Sequence, residues 1–477
     1  MAWRAPLTTT ERRASLFANE RRMSERRKCD VRHDSLPCGK GREVVCPTHV
    51  ATAARCDKKR IRFIDLFAGC GGLSEGFIQA GYAPVAHVEM DKAACYTLKT
   101  RSAFHWLCEH RQTDEYAKYL TGKLSRSDLY SKLPKGLLDS VINAEIGDET
   151  LSKIFSDIDS LVHNEKIDLI VGGPPCQAYS LIGRAKDANG MVGDKRNYLF
   201  RYYAKFLEHY APKFFVFENV LGLLSAKDKN GERYFDMMRE AFKQLGYSTV
   251  YAILNADDYG VPQKRKRIIL IGEKDAPEDF AFPVIAVKPY TYTVGDMIAD
   301  LPPLANGNAV APFKVKGRKR RALLDTRVAD SEFPITQHAA RPHTQQDLEI
   351  YKRAVQLWNK DKIRLSYEEL PDELRTHKNI SSFLDRFKVV AADLQCSHTV
   401  VAHIARDGHY YIHPDVNQNR SLSIREAARL QTFPDNYYFE GTKEGQCRTA
   451  AFRQIGNAVP VLLAYRIAET LKEKWHE

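Results

Sequence analysis

The chain has 477 residues, 44 % of them hydrophobic and 28 % charged, so it can bury a large core in more than one domain without disulfides. No apolar stretch approaches the roughly 20 residues of a membrane helix and no apolar segment follows the N-terminus as in a secretory signal, so the expected compartment is the cytoplasm. Lys and Arg outnumber Asp and Glu by 72 to 60, a net charge of +12, but more than half of that excess lies in residues 1–60 and says little about the rest.

Residues 1–59 are Arg-rich and without periodicity, and read as a basic, disordered tail. Cys29, Cys38, Cys46 and Cys56, with His33 and His49 nearby, match no common metal-ligand spacing, so no metal is expected. From RFIDLFAG onward, strand and helix patterns alternate. Strands are predicted near 62–68, at PVAHVEM, VINAEI and IDLIVGG, at KFFVFEN and at KRIILIGEK. Helices are expected from Leu73, from about 91 through Leu98, from Glu149 and near 196–210. In the last of these Leu199, Phe200, Tyr203, Phe206, Leu207 and Tyr210 recur at helical steps. Such βα repeats build a doubly wound, Rossmann-like parallel sheet, with 105–140 as a helical insertion.

The alternation stops after Lys274. Residues 276–419 read as a smaller, irregular inserted domain with strand-like pieces at HTVVAHI and HYYIHP, and 420–477 as a segment returning to the catalytic body at 60–275. The run KVKGRKRR, Lys314 to Arg321, has six cations in eight residues, either a solvated loop or a phosphate contact.

Two turns carry the chemistry. FAGCGG, Phe67 to Gly72, follows the first strand, and Glu89 ends the second at the distance where a carboxylate holds ribose hydroxyls. Ser74 stands where a dinucleotide fingerprint wants its third Gly or Ala, so S-adenosylmethionine, with a ribose but no phosphate, fits this pattern better. The second turn, GGPPCQAYS, ends a buried strand with glycines and prolines that forbid its continuation, placing Cys176 at the mouth of a cleft. From position alone, a reactive thiol and a small buried residue are equally open.

With DLFAGCGGLSEGF, HVEMD, GGPPCQAYS, ENV at 218–220, QKRKR at 263–267, REAARLQTFPD at 425–435 and QIGNAVP at 454–460, all in order, the chain resembles the DNA (cytosine-5) methyltransferase family. The resemblance implies an enzyme that flips a cytosine out of double-stranded DNA, adds the Cys176 thiolate to carbon 6 and transfers methyl from S-adenosylmethionine to carbon 5. It implies Glu218 at N3 and the exocyclic amine. Gln263, Arg265 and Arg267, taken as alternating on one strand, are expected to share a face, with Arg265 orienting the base and Gln263 and Arg267 binding substrate. For the cofactor it implies Phe67, Gly69, Gly71, Gly72 and Leu73, then Glu89 on ribose, Met90 against adenine, Asp148 near the adenine amine, and Asn457 and Val459 closing the site.

The segment 181–197 is expected to form a lid, and 276–419 to recognise the target sequence. The compact arrangement implies a monomer in a bacterial restriction-modification system, functionally paired with a restriction endonuclease. Two other readings stay open: a tRNA cytosine-5 methyltransferase, and a DNA-binding paralogue without activity.

Overall fold

The computed structural model describes residues 60–175, 198–277, 279–315, 321–330, 332–376, 380 and 383–475. The N-terminal segment with its four cysteines, Cys176, the expected lid 181–197 and most of the basic run after Val315 lie outside the described residues.

Strands β1 (Arg62–Leu66), β2 (Ala83–Glu89), β3 (Val141–Asn143), β4 (Leu169–Gly172) and β5 (Phe214–Asn219) pair in parallel in the order β3-β2-β1-β4-β5. Period-two alternation sends Ile64 and Leu66 to one face and Phe63 to the other, so the sheet buries apolar side chains on both sides. Helices α1 (Gly72–Gln79) and, at the far end of the chain, Val461–Glu473 cover the Phe63 face. Helix α2 (Lys92–Glu109) starts where the Asp91 carboxylate accepts the N–H groups of Ala93 and Ala94, at 2.8 and 3.2 Å. It runs past the expected end at Leu98 and into the insertion, which continues as α3 (Thr113–Leu120) and α4 (Arg126–Ser131). Helix α5 (Asp148–Val162), α6 (Leu199–Tyr210) and α7 (Tyr234–Gln244) pack on the Ile64 face, with Phe200, Tyr203, Phe206 and Leu207 buried as their spacing requires.

The doubly wound sheet is parallel over five strands and becomes antiparallel at its far edge. Strand β6 (Tyr247–Asn255), absent from the sequence reading, forms that edge, and β7 (Lys266–Lys274) lies antiparallel between it and β5. Parallel neighbours need a crossover of a dozen or more residues, usually a helix, whereas residues 256–265 between β6 and β7 hold only a single 3₁₀ turn, Ala256–Tyr259. The chain can only fold back. As an edge strand, β6 exposes Tyr251 and Ile253, and it lacks the apolar run that marks a central strand.

The inserted region also differs from expectation. HTVVAHI and HYYIHP are not strands: they contain 3₁₀ turns at Ala402–Ala405 and His409–Tyr411. Its longest element is a helix, α10 (Gln345–Asp361), after the short helices α8 (Val294–Ile298) and α9 (Arg321–Asp325). Thr344 caps α10 in a reciprocal box with Asp347, and Ile350, Tyr351, Ala354 and Val355 form its buried stripe. That stripe belongs to a small core with Tyr367, Phe387 and Ile412, while Val294, Met297, Val390 and Val400 share a larger one with the C-terminal segment.

The C-terminal segment comprises α11 (Ile424–Leu430), α12 (Arg448–Asn457) and α13 (Val461–Glu473). Its first helix carries two arginines, Arg425 and Arg429, and Arg420 stands four residues before it, all three fully buried. Arg429 joins Asp435 at 2.8 Å to Asp300 of the inserted region at 2.5 Å, and Arg420 clasps Glu426 with two bonds of 2.7 Å. Burial alone would raise the Glu426 pKa, but its charged surroundings hold it well below the usual carboxylate range. His413, beside it, is held down to about 4 by burial and is neutral at physiological pH, so Arg420 carries the pairing.

A carboxylate whose folded pKa lies below its unfolded value of 4.5 contributes stability above that pH and loses it as acid is added. Glu426→Gln is therefore expected to lose about 3–5 kcal/mol at neutral pH, by leaving Arg420 buried without a counter-charge. Its stability should also fall less steeply than that of the parent below pH 4.5, as read by urea denaturation between pH 3 and 7. Parallel pH profiles would rule this pair out as the source of acid sensitivity.

Candidate active site

The first site is built at the carboxyl ends of β1 and β2. The chain leaves β1 through Phe67 and Gly69, whose φ angles of 57° and 56° bend it sharply, and Gly71 follows at 85°. A side chain at Gly69 would meet no atom within 4 Å, so the turn faces open space. Gly72 is the opposite case: a Cβ there would lie 2.4 Å from the Val459 carbonyl oxygen, so only glycine lets the GNAV segment close on this turn.

Glu89 ends β2 beneath the turn, accepting Gly69 N–H at 2.8 Å and Asp91 N–H at 2.7 Å. Burial raises its pKa against the pull of these two bonds. The Asn143 amide donates to the carbonyls of both Glu89 and Met90, each at 3.0 Å, and so fixes the turn from β3. Sequence reading missed Asn143, although an amide ending a strand beside Glu89 was a usable signal. Met90 is 58 % exposed beside this turn. Asp148 opens α5 with its carboxylate exposed, 3.5 Å from Lys205 Nζ on α6. Leu73 is buried in the core that includes Phe63 and Phe77, so its side chain packs and only its backbone remains for a ligand. Exposed Asn457 ends α12 and buried Val459 follows it.

The second site lies at the ends of β4 and β5. Gly172 approaches β1 so closely that a Cβ would lie 2.4 Å from Leu66 O, and a Cβ on Gly173 would lie 2.7 Å from Glu218 Oε2. The amide of buried Asn219 donates to Pro174 O at 3.2 Å. These contacts fix the turn against Leu66, Glu218 and Asn219 as far as Pro174, two residues before Cys176. Glu218 Oε1 receives Arg267 Nε at 2.7 Å, a pair in which both side chains are largely buried.

These residues match a family over most of the chain. The family model for C-5 cytosine-specific DNA methylase fits residues 61–127 and 140–473. The chain is 38 % identical over 447 residues to a type II methyltransferase of Bacillus paralicheniformis, covering 86 % of this chain and 98 % of that protein. It is 32 % identical to a type II methyltransferase of Desulfomicrobium norvegicum, covering 86 % and 88 %. The chain belongs to the C-5 cytosine-specific DNA methylase family.

It is a DNA (cytosine-5-)-methyltransferase. The fold agrees with a solved prophage-encoded protein of E. coli described as a DNA modification methyltransferase, at a TM-score of 0.56 and 23 % identity over 87 % of this chain and all of that one.

Within the methyltransferase, Gln263, Arg265 and Arg267 are withdrawn from solvent while Lys264 and Lys266 between them are exposed, and the three meet different partners. The strand begins at Lys266, and Gln263 and Arg265 lie in the segment that leads into it. Gln263 is fully buried, donates to Leu430 O at 3.1 Å and accepts Val400 N–H at 2.8 Å. Arg265, 1 % exposed, donates to Val400 O at 2.7 Å and to Gly456 O at 3.4 Å. Both stitch the β6–β7 turn to the inserted and C-terminal segments. Arg267 is the arginine that reaches Glu218.

Proposed function

We propose that the methyltransferase modifies one cytosine within a specific sequence of duplex DNA, with S-adenosylmethionine as donor and Cys176 as nucleophile. It acts as a monomer protecting bacterial DNA from a cognate restriction endonuclease. The observation that carries this reading is the Glu218–Arg267 pair, wedged against Gly173 three residues before Cys176.

Carbon 6 of cytosine is a poor electrophile. As a thiolate, Cys176 adds there and pushes electron density onto carbon 5, while Glu218 engages N3 and the exocyclic amine and so stabilises the charge that builds on the ring. Arg267 holds the Glu218 carboxyl in place, and preorganised charge of this kind costs no reorganisation when the reaction occurs. Loss of the carbon-5 proton and departure of Cys176 restore the ring.

S-adenosylmethionine, when bound, supplies an electrophilic methyl group. The open face of the Phe67–Gly72 turn, Glu89 at its base, exposed Met90 beside it, Asp148 and the closing Asn457–Val459 segment fit such a ligand. A base inside a duplex cannot be attacked from its face, so the cytosine must leave the stack. Sequence readout falls to residues 276–419, which have a small core of their own and are tied to the C-terminal segment through Asp300 and Arg429.

Expression in a host without cytosine methylation, followed by bisulfite sequencing and by transfer of labelled methyl to purified duplex DNA and tRNA, tests the reading. Methylated cytosines confined to one duplex sequence are the expected result. Label appearing in tRNA alone, or in neither nucleic acid, would overturn it.

A further inference from the structure

The helical insertion at 105–140 matches none of the motifs, yet it reaches the cofactor end of the molecule. Helices α3 and α4 share an apolar core with the end of α2, built from Phe104, Leu107, Tyr116, Leu120 and Leu129. Two of their polar side chains turn to a carboxylate far along the chain. Tyr119 Oη donates to Glu440 Oε1, and Arg126 Nη1 lies 3.4 Å from Glu440 Oε2. Thr100 on α2 donates to the same Oε1 at 2.6 Å. Glu440 is 1 % exposed, and burial raises its pKa against these hydrogen bonds.

From Glu440 the contacts continue to the cofactor turn. Its N–H donates to Thr97 Oγ1 at 2.8 Å, and its carbonyl accepts from the Gln454 amide at 2.9 Å. Thr97 donates to the other end of that amide at 2.6 Å, so both ends of the Gln454 side chain are fixed. Gln454 lies on α12 three residues before Asn457, and its carbonyl accepts the Cys70 thiol at 3.5 Å. Tyr437 Oη donates to Cys70 O at 2.5 Å from the same strap of chain.

We propose that Glu440, gripped by Tyr119 and Thr100, is a positioning residue for the cofactor: by fixing Gln454 it sets the spacing between the Cys70–Gly72 turn and the Asn457–Val459 segment. The helical insertion is then a brace for the cofactor site rather than a part of the DNA-reading surface. The inference rests on reading those two segments as the S-adenosylmethionine site. A carboxyl suits this place because it accepts two hydroxyls and faces an arginine at once.

Glu440→Ala, Glu440→Gln and Tyr119→Phe in the full chain test the proposal, by calorimetric titration with S-adenosylmethionine, steady-state kinetics and thermal melting. Glu440→Ala should raise the cofactor Kd and KM about tenfold, the equivalent of one hydrogen bond to a charged group, with kcat and the DNA KM nearly unchanged. Tyr119→Phe should raise them about threefold. Glu440→Gln keeps an acceptor for both hydroxyls and should return them close to the parent values. An unchanged cofactor Kd in folded Glu440→Ala overturns the proposal, as does a parallel loss of kcat, DNA affinity and cofactor affinity with a lowered Tm. If Glu440→Ala does not fold, an unchanged cofactor Kd in Tyr119→Phe overturns it. A parent protein that binds no S-adenosylmethionine contradicts the site reading itself, and the unmodified control separates that outcome from the others.

Discussion

Replacing Cys176 by alanine is expected to lower methyl transfer by about 10⁴-fold or more while duplex DNA binding persists. The effect is this large because the ring has no alternative route to a nucleophilic carbon 5 once the thiolate is gone. The turn that delivers the residue is held tightly: Gly172 leaves no room for a side chain beneath Leu66 O, Gly173 none beside Glu218, and Asn219 ties down Pro174. Covalent attack gains most of its advantage from such placement, since a well-oriented group reacts as if at enormous concentration. Two measurements check it, the rate of labelled-methyl incorporation and capture of a 5-fluorocytosine duplex, which should cross-link the parent protein through residue 176 and leave the variant free. Methylation persisting in the alanine variant would remove the thiolate mechanism.

The parts of the site that were legible in the sequence are those in which local chemistry leaves one solution. Gly69 and Gly71 stand in left-handed backbone that glycine adopts freely, and Glu89 falls at a strand end because period-two alternation carries the chain there. The Gly-Gly-Pro-Pro turn announces itself for the same reason. The five parallel strands were readable because helical segments long enough to cross over separate them. The direction of β7 was not, since KRIILIGEK has the composition of a buried strand whichever way it runs, and only the short link from β6 decides it.

Other features depend on contacts that no local pattern encodes. Tyr119 and Glu440 lie 321 residues apart and meet only because the C-terminal strap returns across α2. Helix α10 is different, because its cap was visible in Thr344 and Asp347 but was masked by the Pro, His and charge of the surrounding sequence. The partners of the two arginines were likewise beyond local pattern. Arg265 meets the carbonyls of Val400 and Gly456, 135 and 191 residues further along the chain, whereas Arg267 meets Glu218 of the neighbouring strand β5.

That difference between the arginines leads to the second large effect. Glu218→Gln and Arg267→Met are each expected to lower kcat about 10²- to 10⁴-fold, the range of a positioned acid or base, with cofactor affinity preserved. The double variant should be little worse than either single one. The two side chains meet at 2.7 Å in a largely buried pair, so each substitution already breaks the unit proposed to act on the base. Arg265→Met should behave otherwise. Its guanidinium holds the carbonyls of Val400 and Gly456, so the loss should appear chiefly as a lower Tm, by leaving buried acceptors unpaired. Kinetics and melting curves of the four variants separate the cases. If Arg265→Met abolished turnover at unchanged stability while Arg267→Met remained active, the base-orienting role would return to Arg265, and the Glu218–Arg267 pair would be a structural ion pair beside the reacting ring.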